Sequence, residues 1–187
     1  MPMTRPRVLT ALLSAAALAF LAASPSQSAP VEVVYRQHIW NAKTGKCLDI
    51  PGVDPPTQGS ALTQYTCLPG PGDNQEFDLV QVAGAKFVIR SSRNPSLCLD
   101  LPGTEAPGNS KIGFYPCQYT TADNQVWSKV GRSGDSNFMI INDKAWNNNR
   151  LMCLDVAGLG SPANDLPVGL YGCAPFDTRD DHWWNTW

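Results

Sequence analysis

The chain has 187 residues, of which 43% are hydrophobic and 16% are charged, and its net charge is −2. This length suits one globular domain with a hydrophobic core. Lys and Arg are scattered singly along the chain, so no basic patch favours a nucleic acid or an anionic membrane surface as the partner.

The first 29 residues are typical of a secretory signal peptide. Arg5 and Arg7 form a basic start, an apolar run follows at 8–23, and small polar residues occupy 24–29. The apolar run is shorter than the ~20 residues that cross a bilayer. We therefore predict a signal peptide at 1–29 and a secreted, extracellular domain at 30–187 with no membrane span. Loss of the two arginines gives this domain a net charge of −4.

Three homologous repeats, at about 36–84, 85–135 and 136–187, organise the secreted part. Each repeat contains a Cys-Leu-Asp segment and, further along, a second cysteine with a Tyr two residues before it. A polar pair of residues then precedes an aromatic residue of the kind usually found in a core. The Cys-Leu-Asp segments are at 47–49, 98–100 and 153–155, and the second cysteines are Cys67, Cys117 and Cys173. An even number of cysteines in an exported chain predicts disulfides; six cysteines allow fifteen pairings, and the repeats restrict them.

Each repeat is predicted to consist of about four short strands. Helical periodicity is absent over any long window, Gly and Pro recur every few residues, and apolar β-formers cluster at 87–89 and 138–141. One repeat of this size cannot bury its apolar face alone, so the three must share one core. The predicted fold class is all-β.

A register argument places a candidate sugar-binding site in each repeat. If the two cysteines of a repeat face each other across an antiparallel hairpin, Asp49 lies opposite Tyr65. The second and third repeats then pair Asp100 with Tyr115 and Asp155 with Tyr171. Strand side chains alternate between faces, so each Asp and Tyr share the face of the cysteines, while Leu48, Leu99 and Leu154 point into the core. A carboxylate accepts hydrogen bonds from sugar hydroxyls, and an aromatic ring covers the apolar face of a sugar.

Structural roles are the alternatives for these residues. An Asp in this position can cap a turn, and a Tyr can pack in a core. We expect Gln75 and Gln125 to be buried amides that orient the Asp by bonding both its carboxylate and the backbone. The aromatic residues that follow are assigned to the core: Phe77, Trp127 and Trp184.

The combined motifs resemble the ricin B-type β-trefoil lectin family over about residues 36–187. The resemblance implies a β-trefoil, with a six-stranded barrel closed by three hairpins and disulfides Cys47–Cys67, Cys98–Cys117 and Cys153–Cys173. It also implies a lectin that binds glycans or glycoconjugates through up to three shallow galactose- or xylose-type sites. The site residues that carry over are Asp49, Tyr65, Asn74, Gln75, Asp100, Tyr115, Asn124, Gln125, Asp155 and Tyr171.

Two departures from the family pattern rank the three sites. Two residues before the Tyr, the family usually places a Gln that reaches the sugar, but this chain has Thr63, Gly113 and Gly169. In the third repeat, Asp181 and His182 stand where Asn-Gln is expected. A second carboxylate near Asp155 repels it unless a cation or His182 intervenes. We therefore expect the first site to be the best preserved and the third to be the weakest.

Two other classes of function were weighed against the lectin. The chain has only two histidines, no motif of a hydrolase or metalloprotease, and no free thiol if all cysteines pair, so we expect no enzymatic activity, no cofactor and no metal. The alternative to a lectin is a β-trefoil that binds a secreted partner protein or delivers a toxin and has partly lost its sugar sites. The loops at 54–60, 131–136 and 145–150 would form the surface for such a partner.

Overall fold

The computed structural model describes residues 33–70, 72–177 and 179–187, so the predicted signal peptide lies outside the described residues. The first repeat contains β1 (Val33–Asn41), β2 (Cys47–Asp49), β3 (Thr63–Tyr65) and β4 (Glu76–Ala83). The second contains β5 (Lys86–Ser91), β6 (Leu97–Asp100), β7 (Ser110–Lys111), β8 (Gly113–Pro116) and β9 (Val126–Gly131). The third contains β10 (Phe138–Asn142), α1 (Asp143–Asn147), β11 (Met152–Val156), β12 (Leu166–Gly172) and β13 (Trp184–Thr186).

Six of these strands form a closed ring, two from each repeat. Strand β1 pairs with β4, β4 with β5, β5 with β9, β9 with β10, β10 with β13, and β13 with β1. The backbones of His38 and Trp187 complete the closure with reciprocal hydrogen bonds of 3.1 and 3.3 Å. The all-β prediction and the six-stranded barrel are therefore confirmed. Nowhere in the described chain is there a helix with the length and apolar character needed to cross a membrane.

Three hairpins close one end of the ring, as in a β-trefoil. They are β2–β3, β6–β8 and β11–β12, and each contacts its barrel strand through a pair that includes the first cysteine of the repeat. The hairpins also contact one another: Thr63 pairs with Pro167, Ala61 with Gly113, and Gly169 with Lys111. These contacts between hairpins place residues from different repeats around one centre.

The three repeats share one core, as predicted. Leu48, Leu99 and Leu154 are fully buried in it, and so are Phe77, Trp127 and Trp184. The indole N–H of Trp184 donates to the carbonyl of Leu154 at 2.9 Å, which satisfies its polar atom inside the core. Because each leucine and each aromatic residue repeats at matched positions, the core has contributions of similar size from all three repeats.

The three predicted disulfides are present. Their Cα–Cα distances are 5.0 Å for Cys47–Cys67, 4.9 Å for Cys98–Cys117 and 5.1 Å for Cys153–Cys173. Each bridge closes a loop of about 20 residues, which restricts the unfolded chain by about 3 kcal/mol in the chain-entropy model. The bridges therefore stabilise the barrel by fixing each hairpin at its open end.

The predicted register of the hairpins is wrong by two residues. Asp49 lies opposite Thr63 rather than Tyr65, and Tyr65 lies opposite Cys47. The other repeats show the same shift: Asp100 pairs with Gly113, and Asp155 pairs with Gly169.

The second cysteine of each repeat explains this shift. Cys67, Cys117 and Cys173 all lie just beyond the end of their strand, so each disulfide joins a strand residue to a residue in the irregular segment that follows the hairpin. A shift by two residues keeps every side chain on its predicted face, because the side-chain period of a strand is two. Each Asp and Tyr therefore still share a face, although they are no longer directly opposed.

The loop predicted at 145–150 begins inside a short helix. The side chain of Asn142 caps α1 by accepting a hydrogen bond from the backbone N–H of Ala145 at 3.2 Å. Its amide also donates to the carbonyl of Asn124 at 2.8 Å, which ties the third repeat to the second. The expectation of a wholly irregular segment here is thus wrong, because a local cap offsets the cost of starting one helical turn.

Candidate functional site

Asp49, at the end of β2, is the centre of the candidate site in the first repeat. The amide of Gln75 donates to Asp49 Oδ1 at 2.9 Å, and the hydroxyl of Thr63 donates to Oδ2 at 3.4 Å. Asp49 is 4% exposed, and burial raises the pKa of its carboxyl group to about 6 in spite of these hydrogen bonds, which lower it. Two donors thus fix the direction of a carboxylate near the surface.

The two glutamines make the hydrogen bonds that were predicted for them. Gln75 is fully buried; besides Asp49, its amide N–H groups reach the carbonyl of Thr66 at 3.0 Å, and its oxygen accepts from the Leu68 N–H at 2.9 Å. In the second repeat, Gln125 donates to Asp100 Oδ1 at 3.1 Å and makes the corresponding backbone bonds. Burial raises the pKa of Asp100 as well. Both glutamines are buried beneath the site, and each orients the carboxylate of the Asp in its own repeat.

The asparagines of these motifs lie beneath the surface of the site. The amide of Asn74 donates to the carbonyls of Ile50, Gly52 and Asp54 at 2.9, 3.0 and 3.1 Å. In the second repeat, Asn124 makes the same three bonds to the carbonyls of Leu101, Gly103 and Glu105. Each asparagine is at most 1% exposed, so it holds the loop that follows the Asp instead of presenting its own amide to solvent.

The three tyrosines differ from the core aromatic residues in their exposure. Tyr65 is half-buried, Tyr115 is 42% exposed and Tyr171 is 54% exposed, whereas Trp127 and Trp184 are fully buried. The alternative in which these tyrosines pack in the core is therefore wrong. Each ring has a surface that is open to a ligand on the same side of the hairpin as the Asp.

The glycines at the family's Gln position lie against the backbone of a neighbouring hairpin. A Cβ atom at Gly169 would be 2.9 Å from the carbonyl oxygen of Ser110, and one at Gly113 would be 3.2 Å from that of Ser60. A separation below 3.0 Å requires something to shift, so a side chain at Gly169 displaces the backbone of Ser110, whereas one at Gly113 needs a shift of only a few tenths of an ångström. At the matching position of the first repeat, Thr63 fits and bonds Asp49.

The third repeat replaces amides with acids and an imidazole. Asp181 accepts a hydrogen bond from the Gly160 N–H, while His182 places Nε2 3.0 Å from the Ala174 carbonyl and Nδ1 3.2 Å from Asp180 Oδ1. Burial and the carboxylates of Asp181 and Asp180 raise the pKa of Asp155. The crowding of carboxylates around Asp155 that the sequence predicted is therefore present.

A cleft of about 470 Å³ opens beside the third site. Asp155, Tyr171 and Asp180 lie on its wall, and Ser110 and Lys111 of strand β7 form the opposite side. No sequence motif marks Asp180 or strand β7 as part of this site. Strand β7 reaches the cleft through its contact with β12, and Asp180 reaches it from the segment before β13.

Comparisons with known proteins agree with this architecture. The family model described as "Ricin-type beta-trefoil lectin domain" matches residues 35–138. The comparison with curated proteins gave no match. Among solved structures, the designed threefold-symmetric protein ThreeFoil has a TM-score of 0.67 at 20% identity, covering 81% of this chain and 96% of that chain.

Two natural proteins also have this fold. A ricin B-like lectin from Macrolepiota procera, in complex with lactose, has a TM-score of 0.61 at 20% identity, covering 84% of this chain and 98% of that chain. An exo-β-1,3-galactanase from Clostridium thermocellum has a TM-score of 0.65 at 19% identity, but the match covers 83% of this chain and only 30% of that chain. With its family match, three repeats, closed barrel and three disulfides, the chain belongs to the ricin-type β-trefoil lectin family.

Proposed function

We propose that this protein is a secreted lectin that binds a galactose- or xylose-type sugar in the first repeat. The observation that carries the proposal is the carboxylate of Asp49, held by Gln75 and Thr63 on the same hairpin face as the half-buried ring of Tyr65. The family's carbohydrate-binding character supports it. The three disulfides support secretion, because such bridges persist in oxidising compartments.

The chemistry of the first site suits a pair of sugar hydroxyl groups. An ionised carboxylate offers about four lone-pair positions, and the bonds from Gln75 and Thr63 leave others free for a ligand. Charge-assisted hydrogen bonds of this kind are about twice as strong as neutral ones. The aromatic ring of Tyr65 supplies a face on which the C–H side of the sugar ring can lie. Such a site is shallow, so its affinity for one sugar is weak, and multivalent binding to polymeric glycans raises avidity.

Sugar ligands of similar proteins support the chemical class. The Macrolepiota lectin is a lactose complex, and the C-half of an earthworm R-type lectin, with a TM-score of 0.57 at 18% identity, is a GalNAc complex. We propose that the second repeat is a weaker site, with Asp100 and Tyr115 in place. In the third repeat Asp155 and Tyr171 line the cleft of about 470 Å³, but the acids around Asp155 weaken its use as a hydroxyl acceptor.

Calorimetric titration and a glycan array test this function directly. The purified domain is titrated with galactose-, xylose- and lactose-bearing ligands, and weak binding that strengthens on multivalent ligands is expected. Asp49→Ala removes most of it, while the fold is checked by circular dichroism. Binding to none of these glycans by a folded domain would contradict the proposal.

A protein-binding role is the second candidate, and exposed apolar residues in the third repeat favour it. Leu159 is 81% exposed at the edge of the cleft, and Phe176 is 92% exposed in the loop that precedes β13. Exposed apolar side chains of this kind occur at interfaces, although single ones are common on any surface. In this role the protein binds a secreted partner or delivers a toxin, and it has no enzymatic activity of its own. A negative glycan array with an intact fold is the result that would favour it.

A further inference from the structure

The third repeat contains a compact cluster of metal-ligating side chains that sugar binding does not require. Asp155, Asp180 and His182 each place one ligand atom within 4.8 Å of the others. Asp181 adds a third carboxylate, in contact with Asp155. These residues come from two separated parts of the chain, the end of β11 and the segment before β13, which the hairpin and the barrel bring together.

The orientation of His182 is the first reason to expect a cation. Its side chain is fully buried, and its Nε2 lies 3.0 Å from the carbonyl of Ala174, which can only accept, so Nε2 carries the proton. Nδ1 then has a free lone pair, and it lies 3.2 Å from the Asp180 carboxylate without forming a hydrogen bond. Two electron-rich atoms at this distance repel each other unless a second ring proton or a metal ion lies between them. A backbone acceptor on the far nitrogen is also the arrangement that metal-ligating histidines show.

Asp181 is the second reason. It is 1% exposed, one oxygen accepts from the Gly160 N–H, and in the described part of the chain the other oxygen, Oδ1, has no hydrogen-bond donor while the neighbouring Asp155 is ionised. A buried carboxylate oxygen without a donor carries a large desolvation cost.

The Lys and Arg side chains nearby do not neutralise the negative charge of these acids. Among the described residues, no Lys or Arg forms an ion pair with Asp155, Asp180 or Asp181, because Arg179 pairs with Asp177 instead. Lys43 and Arg132 line a neighbouring cleft that also includes Asp180, but neither of them reaches ion-pair distance. Within the described chain, the one basic group at ion-pair distance from these acids is the imidazole of His182, and it offsets their charge only when it is protonated.

We propose that the third repeat binds one divalent metal ion of the Zn²⁺ type through Asp155, Asp180 and Nδ1 of His182. An imidazole together with carboxylates favours Zn²⁺ over Ca²⁺ or Mg²⁺, which prefer all-oxygen sites. Bonds of about 2.1 Å put two ligand atoms of a tetrahedral ion about 3.4 Å apart. The 3.2 Å between Nδ1 of His182 and Oδ1 of Asp180 fits this spacing, and ligand atoms up to 4.8 Å apart must close by about 1 Å around the ion. Asp155 and Asp180 also line the 470 Å³ cleft, so the ion has an open side toward solvent.

The proposal is independent of sugar binding, and its test uses no sugar. The purified protein without an affinity tag is titrated with Zn²⁺ by calorimetry, and the stoichiometry is measured by native mass spectrometry. One ion per chain is expected, with an increase in the melting temperature of several degrees because the ion binds only the folded protein. Asp180→Asn and Asp155→Asn each lower the Zn²⁺ affinity at least tenfold. Asp177→Asn, a carboxylate change in the same segment, leaves the affinity within twofold.

A second measurement does not depend on any variant folding well. The chain has two histidines, His38 and His182, so their ring nitrogens give two separate sets of NMR signals. Saturating Zn²⁺ is expected to shift the Nδ1 resonance of His182 and to leave that of His38 in place. An unmoved His182 signal would overturn the proposal. The same conclusion would follow if the Asp155→Asn/Asp180→Asn double variant retained the full Zn²⁺ affinity.

Discussion

The first and third repeats have the same backbone arrangement, but the side chains beneath their Asp differ. Amide donors lie there in the first repeat, and an acid and an imidazole lie there in the third. In the first repeat, the amide of Asn74 donates to loop carbonyls, and the amide of Gln75 donates to the Asp49 carboxylate. In the third, Asp181 accepts from a loop N–H, and His182 faces an acid. A donor has become an acceptor at the position that holds the loop after the Asp. The Asp carboxylate is therefore supported by hydrogen-bond donors in the first repeat and surrounded by acids in the third.

The barrel is insensitive to this inversion because other residues hold it. Phe77 and Trp184 occupy matching core positions, and the disulfides Cys47–Cys67 and Cys153–Cys173 clamp both hairpins. The family match nevertheless ends at residue 138, at the start of the third repeat. Fold and site thus depend on different residues within each repeat, and a repeat can change its site without losing its place in the barrel.

The largest expected effect is the difference in sugar affinity between a variant that lacks Asp49 of the first repeat and one that lacks Asp155 of the third. Asp49→Ala removes charge-assisted hydrogen bonds worth about 1.5–3 kcal/mol each, so sugar affinity falls tenfold or more. Asp155→Ala changes sugar affinity less than twofold, because its carboxylate is surrounded by Asp180 and Asp181. Calorimetry with a lactose-bearing ligand measures both. Equal losses in the two variants would remove the distinction between the repeats.

The next effect concerns stability at the contact between hairpins. In Gly169→Ala the new Cβ lies 2.9 Å from the backbone oxygen of Ser110, so we expect a loss of about 1–3 kcal/mol in the free energy of unfolding. For a domain of this size that lowers the melting temperature by about 2–4 °C per kcal/mol. Gly113→Ala, with a distance of 3.2 Å to Ser60, is the milder matched change. Calorimetric melting that ranks Gly113→Ala as the more damaging variant would contradict this explanation.

A smaller effect is expected at Gln75, which acts through Asp49. Gln75→Ala removes a donor that lowers the pKa of Asp49, so sugar affinity falls by about 1 kcal/mol and the pH midpoint of binding moves upward. A purely structural role would lower affinity without moving that midpoint. Titrations of wild type and variant across several pH values distinguish the two roles. Gln125→Ala serves as the control, because it alters the second repeat alone.

The smallest effect is a dependence on pH in the unmodified protein. Burial raises the pKa of Asp49 from 3.8 to about 6, so the ionised form that accepts sugar hydroxyls is lost as the pH falls through about 6. Sugar affinity should be constant above pH 7 and decline about twofold at the midpoint and more steeply below it. Calorimetry between pH 8 and 5 measures the decline. Affinity that stays flat down to pH 5 would show that binding does not require this carboxylate to be ionised.

The sequence was sufficient for the features that repeat locally. Three Cys-Leu-Asp segments predicted three repeats and the buried leucines, because both depend on short spacings and on side-chain chemistry alone. The resemblance to the lectin family implied the disulfide pairing, which the structure confirms. The orienting role of Gln75 was also predictable, since a buried amide has few other partners. Asn74 and Asn124 were placed in the site by resemblance, but their side chains hold the loops beneath it.

The threefold all-β plan follows from the sequence, and so does the face on which each Asp and Tyr lie, because side chains alternate between faces along a strand. The hairpin register does not follow from it, since a shift by two residues leaves every side chain on the same face. The contacts between hairpins fix that register in the folded protein. The tertiary structure also decided why Gly169 has no room for a side chain and why Asp180 meets Asp155 and His182. Those contacts join residues that are distant in sequence, and only the closure of the barrel brings them together.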